Sequence, residues 1–388
     1  MKKTLLASTA LIGAALLTAP AHAGTVGSGD NLAVRLSGFM WFQVNVIDED
    51  ISAGNGRGFD FDIPETELHI NASNTADNGI KYGVSIEMEV NTDASNNGDE
   101  VWAFLSGDFG RVEMGDQDDA TNRMLVGAFQ AHQGICGPFG GLGCLAPVFQ
   151  SGGGEPFTIA RTDWQVATSS DATKVTYFSP RFSGFQVGAS FTPDSGGNGA
   201  SFGETDNDGD YEKMMGLGLN YTGKFDDFGI SASVLYETAT DEDTINGGET
   251  FEDLEFIYVG AKVDFAGFTV GANYRDNGDT GLSKSATAAG ADHGHYWAVA
   301  AGYKMGPWGV SAWYSYGERD PLGSGSSSFA TEEMVRYGLG GRYAIAPGWQ
   351  LRADLSFLEW ENRGGTPSST SNPDQDSTAF ILTNMINF

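Results

Sequence analysis

Three small constellations in this chain could carry chemistry. Asp206-Asn207-Asp208-Gly209-Asp210 opens like a calcium loop, with Asp206, Asp208 and Asp210 offering carboxylates at alternate positions. No glutamate stands at the twelfth position, where an EF-hand closes its coordination. The run is therefore open to a loosely bound calcium and equally to being a solvated acidic loop. Cys136 and Cys144 are the two cysteines of the chain, and in an oxidising exterior they could close one disulfide bridge, unlike a disulfide-scaffolded fold. His293 and His295 stand beside Asp292, but no nucleophile motif accompanies them and the segment is rich in Gly and Asp. No catalysed reaction and no required cofactor are expected.

The pattern of polarity says what holds these groups. Residues 80–91 place Ile80, Tyr82, Val84, Ile86, Met88 and Val90 on one face, opposite Lys81, Gly83, Ser85, Glu87, Glu89 and Asn91. Residues 32–46 place Leu32, Val34, Leu36, Met40, Phe42, Val44 and Val46 opposite Arg35, Ser37, Gln43 and Asn45, with Phe39 and Trp41 on the polar side. Strands of this length are long for a soluble sheet. At ~3.3 Å per residue and ~45° tilt they match the hydrocarbon thickness of a bilayer.

Aromatic–glycine pairs punctuate the chain at Phe109-Gly110, Gly184-Phe185, Phe228-Gly229, Gly267-Phe268, Trp308-Gly309 and Gly348-Trp349. Rings at strand ends suit a membrane interface, where they lie between lipid and water. The spacing predicts sixteen strands, near 32–46, 58–72, 80–91, 100–106, 111–117, 171–179, 185–192, 213–222, 229–237, 254–264, 268–275, 295–304, 309–317, 332–345, 349–359 and 377–388. Short turns join them at one end and long loops at the other, and the even count puts both chain ends on the short-turn side. Residues 58–72 change face at Pro64, which predicts a bulge. A propeller shares the period but needs four short strands in each repeat, where two strands and a loop use it here. The fold class is all-β, a transmembrane antiparallel β-barrel.

Lys2 and Lys3, the apolar run 5–17 and Ala21-His22-Ala23 read as a secretory leader over 1–23, leaving 24–388 as the barrel. With 21 basic and 51 acidic residues the net charge is −30, or −32 once Lys2 and Lys3 are removed. Like charge repels nucleic acid at long range, so it is not an expected partner.

The segment Leu105-Ser106-Gly107-Asp108-Phe109-Gly110-Arg111-Val112-Glu113-Met114-Gly115 resembles the hairpin before the pore loop of Gram-negative general porins. Lys174-Val175-Thr176-Tyr177-Phe178-Ser179-Pro180, continuing through Phe182, Gly184 and Phe185, resembles the hairpin after it. A final strand ending on Phe388 is similar to the signal read by the barrel-assembly machinery. The resemblance covers essentially the whole mature chain. It implies an outer-membrane protein in contact with the lipid bilayer and lipopolysaccharide, assembled as a homotrimer of sixteen-stranded barrels. Each barrel would pass small hydrophilic solutes through an aqueous pore, narrowed by the third long loop at about 118–170.

In that family acids on the loop face bases on the wall. The candidate acids are Asp116, Asp118, Asp119, Glu155 and Asp163, with plain solvated loop charge as the other reading. By strand parity Arg35, Arg336, Arg342 and Arg352 point inward, and Arg35, Arg342 and Arg352 are expected to cluster once the sheet closes. Opposed charges of this kind set a transverse field across the water. The loop tip departs from the familiar Pro-Glu-Phe-Gly-Gly type, reading Gly137-Pro138-Phe139-Gly140-Gly141 between the cysteines, so tip contacts do not carry over. The expected function is passive diffusion with a mild cation preference. A substrate-specific channel with an aromatic slide of Phe39, Trp41, Trp102 and Phe104 is the alternative, followed by a surface enzyme or adhesin.

Overall fold

The computed structural model describes residues 25–26, 32–49, 58–90, 98–138, 169, 171–197, 211–242, 250–320, 331–361 and 374–388. The alternating segments become β1 (Ala33–Glu49), β2 (Phe59–Asp62 continued by Thr66–Thr75), β3 (Lys81–Glu89), β4 (Gly98–Gly107), β5 (Gly110–Asp116), β6 (Thr173–Phe178), β7 (Phe185–Asp194) and β8 (Tyr211–Phe225). They continue as β9 (Phe228–Asp241), β10 (Leu254–Phe265), β11 (Phe268–Asp276), β12 (His295–Met305), β13 (Trp308–Arg319), β14 (Glu332–Ala346), β15 (Trp349–Glu361) and β16 (Gln375–Asn387). Each pairs antiparallel with its neighbours, and β16 returns to β1 with Ser377 opposite Glu49 and Asn387 opposite Phe39. Gly38 and Phe388 exchange two backbone hydrogen bonds of 2.9 Å. The closed sheet leaves no unpaired edge, which is what allows a sheet to sit in lipid.

Met40 lies opposite Thr66 and Gln43 opposite Asp62, so three residues of β2 face two of β1. That extra residue is the bulge expected at Pro64, which has no N–H to give the ladder.

Outward positions carry exposed Leu36, Phe42, Val259, Leu339 and Phe380, while inward positions carry Gln43, Asn45, Ser233, Asp354 and Thr383. Apolar outside and polar inside is the polarity of a barrel solvated by lipid. Near the short turns the rings pack in pairs, with centroids 4.4 Å apart for Phe228–Phe265 and 4.2 Å for Trp308–Tyr343. Gly110, Gly184, Gly267 and Gly348 have positive φ at these turns. Phe228 and Trp308 open β9 and β13 directly after their turns, so Gly229 and Gly309 are the second residues of those strands.

Candidate functional site in the barrel lumen

Apolar clusters inside the barrel form where the third loop meets the wall. Leaving β5, the chain turns inward and makes a short helix, Ala120–Arg123, capped by the Asp119 carboxylate, which accepts the Asn122 N–H at 2.8 Å. Met124 and Leu125 then pack with Leu235, Leu254, Phe256 and Tyr258. A 3-10 turn, Ala128–Ala131, sets Ala128 and Ala131 against Ala298, Ala300 and Trp313. Farther on, Ile135 covers Phe39, Trp41 and Met385. The described part of the loop thus runs round the inner wall from β7 to β1.

The wall is cut away along this path. A Cβ on Gly188, Gly260, Gly271, Gly302, Gly309 or Gly340 would stand closer than 3.0 Å to Met124, Val126, Gly127, Ala131, Gln133 or His132 respectively. These inward positions fall on β7 and β10–β14, one after another beneath the loop. Glycine lets the loop backbone lie against the sheet, and wall side chains pair with the peptide groups this exposes. Ser233 Oγ accepts from Val126 N at 3.1 Å, Asn273 Oδ1 from Ala128 N at 3.1 Å, and Tyr258 Oη donates to the Val126 carbonyl at 3.0 Å.

A tighter latch follows. His132 Nε2 lies 2.7 Å from Asp354 Oδ1, and Asp354 Oδ2 accepts the Ile135 N–H at 2.8 Å. Ser311 Oγ accepts from Gln133 N at 2.9 Å and lies 3.0 Å from His132 Nδ1, while Arg352 donates to the Gly134 carbonyl at 3.0 Å. Both ring nitrogens of His132 and both oxygens of a buried carboxylate are committed to holding the loop. Buried polar groups satisfied in this way fix one geometry.

Of the five expected loop acids, Asp118 and Asp119 are withdrawn from the lumen water. Asp118 and Asp119 are buried at the loop root, 1% and 2% exposed, because one orders the first turn and the other caps the helix. Asp118 accepts from Asn122 Nδ2 at 2.8 Å, and it converges with Glu100 and Asp171 to within 4.8 Å. Burial first, then repulsion from Asp171, holds the Asp118 carboxyl well above the usual carboxylate range. Asp116, half-buried at the end of β5, accepts from the Thr173 hydroxyl. Glu155, Asp163, Cys144, Asp206, Asp208 and Asp210 lie outside the described residues. Cys136 is disulfide-bonded and packs against Ile381.

Of the four arginines, two come together. Arg342 faces Arg352 across β14 and β15, and the same rung runs through Gly309 to Lys304 and through Thr383 to Gln43. Lys262 and Lys304, which parity would also have placed inward, complete a basic wall with them. Arg35 is eight positions along β1 from Gln43, roughly 26 Å at strand rise, and does not join. Arg336 is six positions from Arg342 and is buried over the Trp313 ring at 5.4 Å. Parity fixes a face, not a height.

The aromatic slide does not form a free surface. Phe39 and Trp41 are buried beneath the loop. Arg111 lies 3.8 Å over Phe104 and 5.3 Å over Trp102, and both Arg111 and Arg123 bond Glu113. These arginines and Arg181 border a cleft of about 430 Å³. His295 stands 3.6 Å from Glu318 at the long-loop end of β12, apart from the latch.

An acidic wall was not anticipated. Glu65 at the break in β2, Glu67 on β2, Glu87 and Glu89 on β3 and Glu100 on β4 crowd one region, and Glu65, Glu67 and Glu100 are buried. His69 lies among them, 2.6 Å from Glu67 and 3.9 Å from Glu87. Ionisable residues at alternate positions of a spanning strand were the available signal, since they are costly there without a task.

A family model described as Gram-negative porin matches residues 7–363. An uncharacterized protein of Rickettsia bellii is 26% identical over 52% of this chain and 50% of its own length, so the chain spans about half of that relative. One from Rickettsia prowazekii is 23% identical over 92% of this chain and 93% of its own. Among solved structures, an anion-selective porin from Comamonas acidovorans aligns with a TM-score of 0.64 at 17% identity, covering 92% of this chain and all of that one.

Proposed function

The chain belongs to the Gram-negative porin family, a multi-pass outer-membrane β-barrel channel, and from that premise we propose that it passes small hydrophilic solutes and ions by passive diffusion. No bond is made or broken, and each solute moves down its own gradient. The observation that carries this reading is the loop docked along the inner wall, which narrows the lumen and buries Phe39 and Trp41 beneath it.

A mild cation preference is part of the proposal. The 51 acidic residues outnumber the 21 basic ones, and the acid-rich stretches 48–50, 206–212 and 241–252 would raise the cation concentration near the outer mouth. The basic wall of Arg342, Arg352 and Lys304 opposes this locally. From the residues we further assign 1–23 as a cleaved leader and pair Cys136 with Cys144 across the loop tip, and we place the barrel in a homotrimer, as the family resemblance implies. Liposome swelling tests the permeation claim. Rates should fall smoothly with solute size and rise linearly with concentration. Saturation with one sugar alone would instead favour a substrate-specific channel.

A further inference from the structure

The acidic wall contains one group that repulsion alone does not describe. Glu67 and His69 are two positions apart on β2 and so share its inward face, and Glu87 on β3 stands directly opposite His69. Directly opposed residues bring their Cβ atoms to about 5 Å, so three side chains converge from one rigid piece of ladder. His69 Nε2 lies 2.6 Å from Glu67 Oε2 and 3.9 Å from Glu87 Oε2, and one donor atom from each residue falls within 4.8 Å of the others. Glu67 is fully buried and Glu87 nine-tenths buried. Glu87 Oε2 has no hydrogen-bond partner, and it is the atom aimed at the imidazole. Glu65, Glu89 and Asp171 bring further carboxyl groups close to Glu67.

We propose that Glu67, His69 and Glu87 form a binding site for a divalent transition-metal ion of the zinc class on the pore wall. An imidazole nitrogen with two carboxylate oxygens suits zinc better than calcium, which takes six or more oxygens. Tetrahedral zinc with ~2.0–2.2 Å bonds holds neighbouring donors about 3.4 Å apart. The 2.6 and 3.9 Å separations bracket that value, so side-chain rotation alone opens one gap and closes the other. Water would occupy the fourth position. The bound ion would offset the charge of two carboxylates on the acidic wall.

The test uses the folded full-length protein in detergent, stripped with chelator and titrated with zinc chloride by calorimetry. One ion per chain should bind at micromolar concentration. His69→Gln and Glu87→Gln should each weaken binding at least tenfold, and His295→Gln should leave it unchanged. Crystals of the wild type soaked in zinc and measured at the zinc edge keep the question independent of variant folding. They should place an anomalous peak between the three side chains. No retention at micromolar zinc, a peak elsewhere, or equal affinity in His69→Gln would overturn the proposal.

Discussion

The wall under the loop and the wall of β2–β4 solve opposite problems. Under the loop, glycines and alanines let its backbone lie against the wall, and Ser233 Oγ, Asn273 Oδ1 and Asp354 Oδ2 accept its N–H groups. On β2–β4 carboxyl groups crowd one another instead, with Glu65, Glu67 and Glu100 buried. The first wall seats a length of backbone; the second gathers ionisable side chains from adjacent strands.

Neighbouring glycines on β14 give the sharpest break of this contrast. Gly340 faces the loop, where a Cβ would strike His132 and Gly134, whereas at Gly341 the nearest atom is the Ala353 carbonyl at 3.9 Å. Gly340→Val should push the loop toward the lumen and cut single-channel conductance by half or more, with Gly341→Val near wild type. Similar traces from the two would remove the docking track from the account.

Asp354→Asn should have the next largest effect. Hydrogen bonds to a charged group contribute about 1.5–3 kcal/mol each, and the substitution weakens those to His132 and Ile135 N. More frequent brief closures in bilayer recordings are expected, with Ser311→Ala showing a weaker form of the same change.

Acidity probes the loop root. Asp118 has a raised folded-state pKa, so its contribution is full below the unfolded value of about 3.9 and is lost as pH climbs toward the folded one. Heat-modifiability on gels should show wild-type Tm falling as pH rises through this window, and Asp118→Asn should flatten the slope. Parallel slopes would show that the buried carboxyl does not govern it.

Charge on the basic wall should matter least. Arg342→Gln should move the zero-current potential a few millivolts further toward cations, an effect that fades with salt as screening shortens to ~3 Å at 1 M.

The strands were legible because each alternates over enough residues for period two to stand out, and β3 and β10 are typical. Height was not. Arg35 has the right face and the wrong level, since rung position depends on how strands stagger around the closed sheet. The loop path left little local trace, because contacts such as His132 with Asp354 join residues 222 positions apart. Asp119 was equally hidden, because its carboxylate is taken up by a four-residue helix too short to show a period.

The central claim, a water-filled channel with a partial preference for cations, is tested most directly by wild-type protein in a planar bilayer under a KCl gradient. Stable stepwise conductance should appear, with a zero-current potential on the cation side at low salt that shrinks as salt is raised. Absence of sustained steps would contradict the channel itself, and an anion-side potential at low salt would show that Arg342, Arg352 and Lys304 govern permeation instead.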